Sequence, residues 1–112
     1  MRSQMTNEQR ALQFWSVLVL AARSQQLLSY KSMEKLTGIP KQGVGRVLAP
    51  IQAYCKRNKL PPLTALVINE DEGLPGLGFT GATEGNVFAA QSRVFVFDWF
   101  AEKVPTPDEF GV

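Results

Sequence analysis

The chain has 112 residues, of which 45% are hydrophobic and 20% charged, with one Cys and no His. This length fits one compact domain, residues 1–112, and the apolar fraction argues against wholesale disorder. A single Cys excludes an internal disulfide, and the lack of His removes Ser-His and Cys-His nucleophile pairs and the commonest metal ligand. We therefore expect a cytoplasmic domain with no cofactor, no metal site and no membrane-spanning segment.

Charge is divided unevenly along the chain. Up to Leu60 there are ten basic and two acidic residues, a formal charge of +8, whereas from Pro61 on there are two basic and eight acidic residues, a formal charge of −6. Such asymmetry favours a basic face that binds a polyanion. The alternative is that the two halves pair with each other, within one chain or across a dimer.

The first two predicted helices have clear start signals. Thr6 and Gln9 form a capping-box pattern, and an apolar stripe at helical spacing follows as far as Ala22. Residues 1–5 are expected to be a loose tail. Ser29 is a good N-cap for a short second helix carrying Met33 and Leu36, which Gly38 closes.

A third helix is predicted after Pro40, and it has the clearest periodicity in the chain. One face is apolar and consists of Val44, Val47, Leu48, Ile51, Tyr54 and Cys55. The opposite face consists of Gln42, Arg46, Ala49, Ala53 and Arg57. Pro50 lies inside the helix and should kink or split it.

The second half of the chain predicts a β-hairpin followed by a helix or strand. Residues 63–69 read as a strand, residues 70–73 as a turn, and residues 74–79 as an edge strand or a Gly-rich loop. Residues 86–100 are ambiguous, since their apolar spacing fits a helix and their β-branched and aromatic content fits a strand; we favour the helix. Residues 104–112 are expected to be an irregular tail.

This order of elements is that of a small α+β winged helix-turn-helix domain, with three N-terminal helices, a β-hairpin wing, and a C-terminal helix or strand with an irregular tail. In such a domain two short helices support a third helix, whose outer face can enter the major groove of DNA, which is about 12 Å wide. The hairpin, or wing, lies beside that helix.

Residues 29–81 resemble the DNA-binding domain of the alkylguanine-DNA alkyltransferases and the alkyltransferase-like proteins. The matching residues are Ser29-Tyr30, Leu36, Gly38-Ile39-Pro40-Lys41, Val44-Gly45, Leu66-Val67-Ile68 and the glycine-containing segment 73–81. The resemblance implies a winged-helix fold that binds DNA. It also implies that Tyr30 contacts the phosphate of a rotated nucleotide.

Two departures from this family limit what the resemblance implies. The family's reactive Pro-Cys-His-Arg motif should lie just before the wing, but Leu63-Thr64-Ala65-Leu66-Val67 has neither Cys nor His. The family's Arg that fills the gap left by the rotated base is replaced by Gln42-Gly43. Alkyl transfer is therefore excluded, and we expect no enzymatic activity and no small-molecule substrate.

The sequence predicts binding of duplex DNA through the basic first half. Gln42 and Arg46 are residue types suited to base edges. Phosphate contacts are predicted for Lys31, Lys35, Lys41 and Arg57, together with Tyr30 at the start of the short helix. Against this, the wing tip is acidic, because it carries Glu70-Asp71-Glu72, and each carboxylate would repel nearby phosphates.

The alternative function is a protein-interaction module. The basic helices and the acidic wing would then bind a protein partner or a second copy of the chain, with exposed aromatic side chains as anchors. A phage or mobile-element protein that binds or inhibits a host nucleic-acid-processing or defence complex would be one such case.

Overall fold

The protein, described here by a computed structural model, is mostly helical with one short two-stranded parallel sheet. The structure describes residues 5–76, 78–82 and 84–111. Its elements are α1 (Asn7–Arg23), β1 (Leu28–Ser29), α2 (Tyr30–Thr37), α3 (Lys41–Arg57), β2 (Val67–Ile68), α4 (Val87–Val96) and α5 (Pro107–Phe110). Short 3-10 helices lie at Leu63–Leu66, Glu84–Asn86 and Trp99–Ala101.

The predicted starts of α1 and α2 are confirmed. The Gln9 backbone N–H donates to Thr6 Oγ1 at 3.1 Å, and the Thr6 N–H donates to Gln9 Oε1 at 2.9 Å, which completes the capping box. The Ser29 hydroxyl caps α2 by accepting from the Ser32 N–H at 3.0 Å, and Gly38 ends α2 in the left-handed conformation. Of the two apolar residues named for α2, Met33 is buried and Leu36 is 61% exposed.

The amphipathic pattern of α3 is confirmed in full. All six residues predicted for its apolar face are buried, and the five predicted for the opposite face are exposed. The helix runs without interruption through Pro50, so the predicted split does not occur. Tertiary packing of the apolar face holds the helix together across the lost hydrogen bond.

The core lies where α1 meets α3 and the C-terminal segment. Trp15 of α1 packs edge-to-face against Tyr54 of α3 and against Trp99, with ring centroids 5.4 Å and 5.6 Å apart. Phe110 of α5 completes this aromatic cluster, 5.4 Å from the Tyr54 ring. Instead of a loose tail from residue 104 onward, the chain forms α5 with Phe110 and Pro105 buried, because two large apolar groups can be removed from water there. Residues 1–4 of the predicted N-terminal tail lie outside the described residues.

The predicted hairpin is only partly formed, and its first strand starts later than predicted. Residues 63–66 form a 3-10 helix, and the strand covers Val67 and Ile68 alone. That strand pairs in parallel with β1, with Leu28 opposite Val67 and Ser29 opposite Ile68. On its return, the chain makes one antiparallel bridge between Ile68 and Pro75, which fits the edge position expected for a proline.

The ambiguous segment 86–100 is mainly helical, as we favoured. α4 covers residues 87–96 and buries Val87, Ala90 and Val94. Gln91 is also buried, and its side-chain amide donates to the Ala65 carbonyl at 3.0 Å. Among the described residues, no helix is long and apolar enough to cross a bilayer.

α1 and α3 end in the same way, with a non-glycine residue in a position that favours glycine. Gln25 and Lys59 both have φ 56°. After α1, the Gln26 N–H donates to the Ala21 carbonyl at 2.9 Å, and after α3, the Leu60 N–H donates to the Cys55 carbonyl at 2.9 Å. This is the Schellman arrangement, in which the left-handed residue is usually Gly.

We expect Gln25→Gly to stabilise the protein by about 0.5–1 kcal/mol. The left-handed conformation costs roughly 1–2 kcal/mol for a residue with a Cβ, and glycine's extra freedom in the unfolded chain offsets about 0.4–1 kcal/mol of the gain. Urea unfolding measures the change. Gln26→Gly at the next position should destabilise, and a Gln25→Gly variant weaker than wild type would contradict the assignment.

Candidate nucleic-acid interface

The exposed face of α3 is basic, and small residues separate its long side chains. Its longer side chains are Gln42, Arg46, Lys56 and Arg57, and all four residues are exposed. The residues between them on this face are Gly45, Ala49 and Ala53, also exposed. No residue of α3 is acidic. A helix with such a face can approach another surface closely, because only small groups project between the long ones.

α2 adds two exposed cations beside the start of α3. Lys31 and Lys35 are four residues apart, which places them on the same side of a helix. The first backbone N–H of α3, that of Lys41, donates to Glu34 Oε2 at 3.3 Å. This contact joins α2 to α3, since the N-cap residue Pro40 supplies no side-chain hydrogen bond.

Four of the predicted site residues line a single cleft, which we call the α2–α3 cleft. Its volume is about 550 Å³, and its lining includes Tyr30, Lys31, Lys41 and Gln42. The facing side is the turn after β2, which contributes Asn69, Glu70 and Asp71. The cleft therefore has a basic side and an acidic side.

The acidic side does not neutralise the basic side by direct pairing. Neither Lys31 nor Lys41 has its Nζ within 4.0 Å of a carboxylate oxygen of Glu70 or Asp71, all of which belong to the described part of the chain. The turn is ordered by its own hydrogen bonds, since the Asp71 N–H donates to Asn69 Oδ1 at 3.0 Å. The cleft is open to a ligand that carries charge of either sign.

The other three predicted residues lie outside the cleft lining. Arg46 lies one turn beyond Gln42 on the exposed face of α3, and Lys35 lies one turn beyond Lys31 on α2. Arg57 is at the last turn of α3, where its Nη2 donates to the backbone carbonyl of Glu109 at 2.6 Å. Arg57 thus joins α3 to α5, a role that residue type alone did not indicate.

The loop after β2 is held against α3 and α2 by two features, one for each helix, that were not predicted from the sequence. The Gln52 side chain donates to the Gly78 carbonyl at 3.0 Å and accepts from the Thr80 N–H at 2.8 Å. At Gly76, a Cβ would collide with the Tyr30 hydroxyl, so this position must be glycine for Tyr30 to pack as it does. In the sequence, Gln52 directly follows Ile51 of the apolar face of α3, and this place was the available signal for the first feature.

Under this loop lies a small apolar cavity with one unusual polar group. The cavity holds about 80 Å³, and its lining includes Leu48, Thr64, Val67 and Phe79. Thr64 is 5% exposed, and its Oγ1 has no hydrogen-bond partner among the residues that the structure describes. A buried hydroxyl in that state destabilises a fold.

The single thiol of the chain is buried at the base of α3. Cys55 is 2% exposed, and burial raises its pKa from 9.0 to about 11, while the Leu63 backbone hydrogen bond acts in the opposite direction. Tyr54 is also affected, since burial raises the pKa of its hydroxyl, with the nearby Glu109 carboxylate adding to the effect. Cys55 is therefore a neutral packing residue at physiological pH.

Comparison with known protein families, with curated proteins and with solved structures finds no match for this chain. Within the described residues, no group of three or more Cys, His, Asp and Glu side chains is placed to hold a metal ion. The geometry and charge of the faces described above are therefore the features that indicate a function.

We expect Thr64→Val to stabilise the protein by about 1 kcal/mol, because the change removes a buried hydroxyl that lacks a partner and keeps the side-chain shape. Thermal unfolding should show a rise of roughly 4–8 °C for a domain of this size. Thr64→Ser, which keeps the hydroxyl and removes a methyl group, should be less stable than wild type. A lower melting temperature for Thr64→Val would show that the hydroxyl has a partner.

Stability should fall above pH 9. The Cys55 pKa is raised to about 11 in the folded protein, so the unfolded chain loses this proton first, and folding weakens between pH 9 and pH 11. The loss should reach about 2–3 kcal/mol, and the Tyr54 shift acts in the same direction at higher pH. Urea unfolding across this range measures it. In Cys55→Ala, which is less stable near neutral pH, the decline between pH 9 and pH 10 should be absent.

Proposed function

We propose that the protein binds duplex DNA with little sequence preference, through the exposed face of α3, in a domain of winged helix-turn-helix type. The observation that carries this proposal is the composition of that face. It has exposed cations, a glutamine and small residues, with no carboxylate anywhere on the helix. Such a face is attracted to phosphates and can approach base edges closely.

The dimensions of α3 fit this use. An α-helix with its side chains is about 10–12 Å across, and the major groove of B-DNA is about 12 Å wide. Gly45, Ala49 and Ala53 keep the helix narrow on its outer side. In this arrangement Gln42 and Arg46 reach base edges, whereas the lysines of α2 and the start of α3 contact the flanking phosphates.

We propose that the segment after β2 serves as the wing. Parallel pairing with β1 fixes its start beside α2, and the Gln52 contacts fix its return beside α3. Its carboxylates restrict how a duplex can lie, because Glu70 and Asp71 face Lys41 and Gln42 across the α2–α3 cleft. We therefore propose that the duplex lies over the Arg46 side of α3, so that only the phosphates contacted by Lys31 and Lys41 come near the turn.

The proposed activity is binding without catalysis. Alkyl transfer of the kind carried out by the alkyltransferases would need a Cys–His pair ahead of the wing, and the chain has no His. Cys55 is buried with a raised pKa, so it is a poor nucleophile. The 3-10 helix at residues 63–66 lies where the family's reactive motif would be, and it contains no Cys or His.

A second function, protein interaction, is favoured by one observation. Phe88 and Val96 on α4 are 81% and 82% exposed, and Phe100 just beyond is 61% exposed. Phe88 and Val96 are eight residues apart, so they lie on the same side of α4. An exposed apolar stripe of this kind is typical of a surface that binds protein.

Fluorescence polarisation with a labelled random-sequence duplex tests the DNA-binding proposal. The wild-type protein should bind, and its affinity should fall steeply between about 50 and 200 mM salt. Arg46→Glu should weaken binding by at least about ten-fold, because it replaces an attraction by a repulsion at the duplex. Gln42→Ala with Arg46→Ala should weaken it less.

The matched control is Phe88→Ser with Val96→Ser, which changes the apolar stripe of α4 and leaves α3 intact. This variant should bind the duplex as the wild type does. Two results would contradict the proposal: Arg46→Glu leaves DNA binding unchanged, or the α4 variant alone loses DNA binding. In either case the α3 face is not the interface, and the protein-interaction function is favoured.

A further inference from the structure

A second basic site lies at the opposite end of α3 from the α2–α3 cleft. It is a cavity of about 330 Å³ between α3, the segment that follows it, the 80–81 loop and α4. Three cations line it, and each comes from a different part of the chain: Lys56 from α3, Lys59 from the following segment and Arg93 from α4. None of the described lining residues is acidic.

The three cations are available to a ligand. Lys56, Lys59 and Arg93 are exposed. Among the side chains that the structure describes, no carboxylate oxygen lies within 4.0 Å of their charged nitrogens. Three positive charges around one cavity repel each other, and an anion bound between them would relieve that repulsion.

The rest of the lining is compatible with a negatively charged ligand. Cys55 contributes a thiol that is neutral at physiological pH, so it adds no negative charge. The carbonyls at the end of α3 already have donors, since the Leu60 N–H donates to the Cys55 carbonyl at 2.9 Å and the Lys59 N–H to the Lys56 carbonyl at 3.3 Å. The negative end of the helix dipole is therefore partly satisfied within the protein.

Lys59 lies at the end of α3 in a backbone conformation that suits glycine. Its φ of 56° is in the region that favours glycine, as is the φ of Gln25 at the end of α1. A lysine there reduces stability relative to glycine. Lys59→Gly therefore removes one cation from the cavity lining without weakening the helix end.

The cavity is placed where a DNA backbone would pass. α3 has 17 residues, a length of about 25 Å, which is roughly twice the width of the major groove. When the part around Arg46 lies in the groove, the end of α3 must extend over the groove's edge, where the phosphates are. Lys56 belongs both to the exposed face of α3 and to the cavity lining, so the two surfaces are continuous.

We infer that this cavity binds a phosphate group of the DNA backbone, held between Lys56, Lys59 and Arg93. The inference rests on the proposed function, which it extends by one phosphate contact beyond the groove. The size and charge of the cavity would suit a phosphate on a small free molecule equally well. The test therefore uses both duplex DNA and a free phosphate compound.

The test compares the salt dependence of duplex binding in two variants, Lys59→Gly and Arg93→Gln. Each should lower the slope of log affinity against log salt by up to about one, because the cavity holds one phosphate and one phosphate contact contributes about 0.9 to that slope. Lys59→Gly should at the same time raise the melting temperature, since it removes a strained residue. Lys59→Arg should restore the slope.

Two controls separate a local effect from a general one. Gln25→Gly makes the same backbone change at the end of α1 and should leave the slope unchanged. Arg23→Gln removes one positive charge from the exposed end of α1 and should also leave it unchanged. Equal losses in Arg23→Gln and Arg93→Gln would show an effect of net charge alone and would overturn the inference.

The remaining outcomes distinguish this inference from the proposed function. If the wild-type protein binds the duplex and neither cavity variant changes the slope, the inference is wrong and the proposed function stands. If no duplex is bound, both are wrong as stated. A titration with pyrophosphate, followed through the amide NMR signals of Lys59 and Gly81, then assigns the cavity to a free phosphate compound if those signals shift.

Discussion

The structure depends on the burial of one face of α3. Six apolar side chains of this helix are removed from water. They pack against α1, the 3-10 helix at residues 63–66, and Trp99 and Phe110 of the C-terminal segment. Full burial of a side chain of the Val, Leu or Ile class stabilises a protein by roughly 1.5–3 kcal/mol. The sum explains how α3 stays continuous despite Pro50. It also fixes which face of α3 points outward, and that is the face on which the proposed function depends.

The surroundings of α3 are set by a few specific contacts. Two residue pairs between β1 and β2 bring the segment after α3 back beside α2. Gln52 then binds the returning loop through its side-chain amide, and the close approach of Tyr30 to Gly76 leaves no room for a Cβ there. These contacts place the acidic turn opposite the start of α3, and the basic cavity at its end.

The uneven charge along the sequence therefore corresponds to separate acidic and basic regions of the folded surface. The acidic turn faces the lysines of the α2–α3 cleft without pairing with them, and the cations around Lys59 have no described carboxylate oxygen within 4.0 Å. A polyanion that follows α3 from Arg46 to its end would avoid the acidic turn. The proposed interface and the inferred phosphate site are two parts of this one path.

The sequence by itself determined the elements whose signals are local. The capping box at Thr6, the Ser29 cap, the Gly38 stop and the two faces of α3 follow from residues within a few positions of each other, and each is present in the structure. The helical form of residues 107–110 also had a local signal, a capping box of Thr106 with Glu109 and a Pro at the first helical position. The burial of Phe110 had none, because it depends on the aromatic cluster formed with Trp15 and Tyr54.

Only the tertiary structure decided where the candidate site lies. A two-residue parallel strand pair leaves no periodicity in the sequence, because its partners are almost forty residues apart and pair through the backbone. Lys56 and Lys59 looked like ordinary cations at a helix end until Arg93 was placed beside them by the packing of α4. Local sequence patterns indicate which residues are charged, which are buried and which form turns. Long-range packing decides which of those residues share a surface.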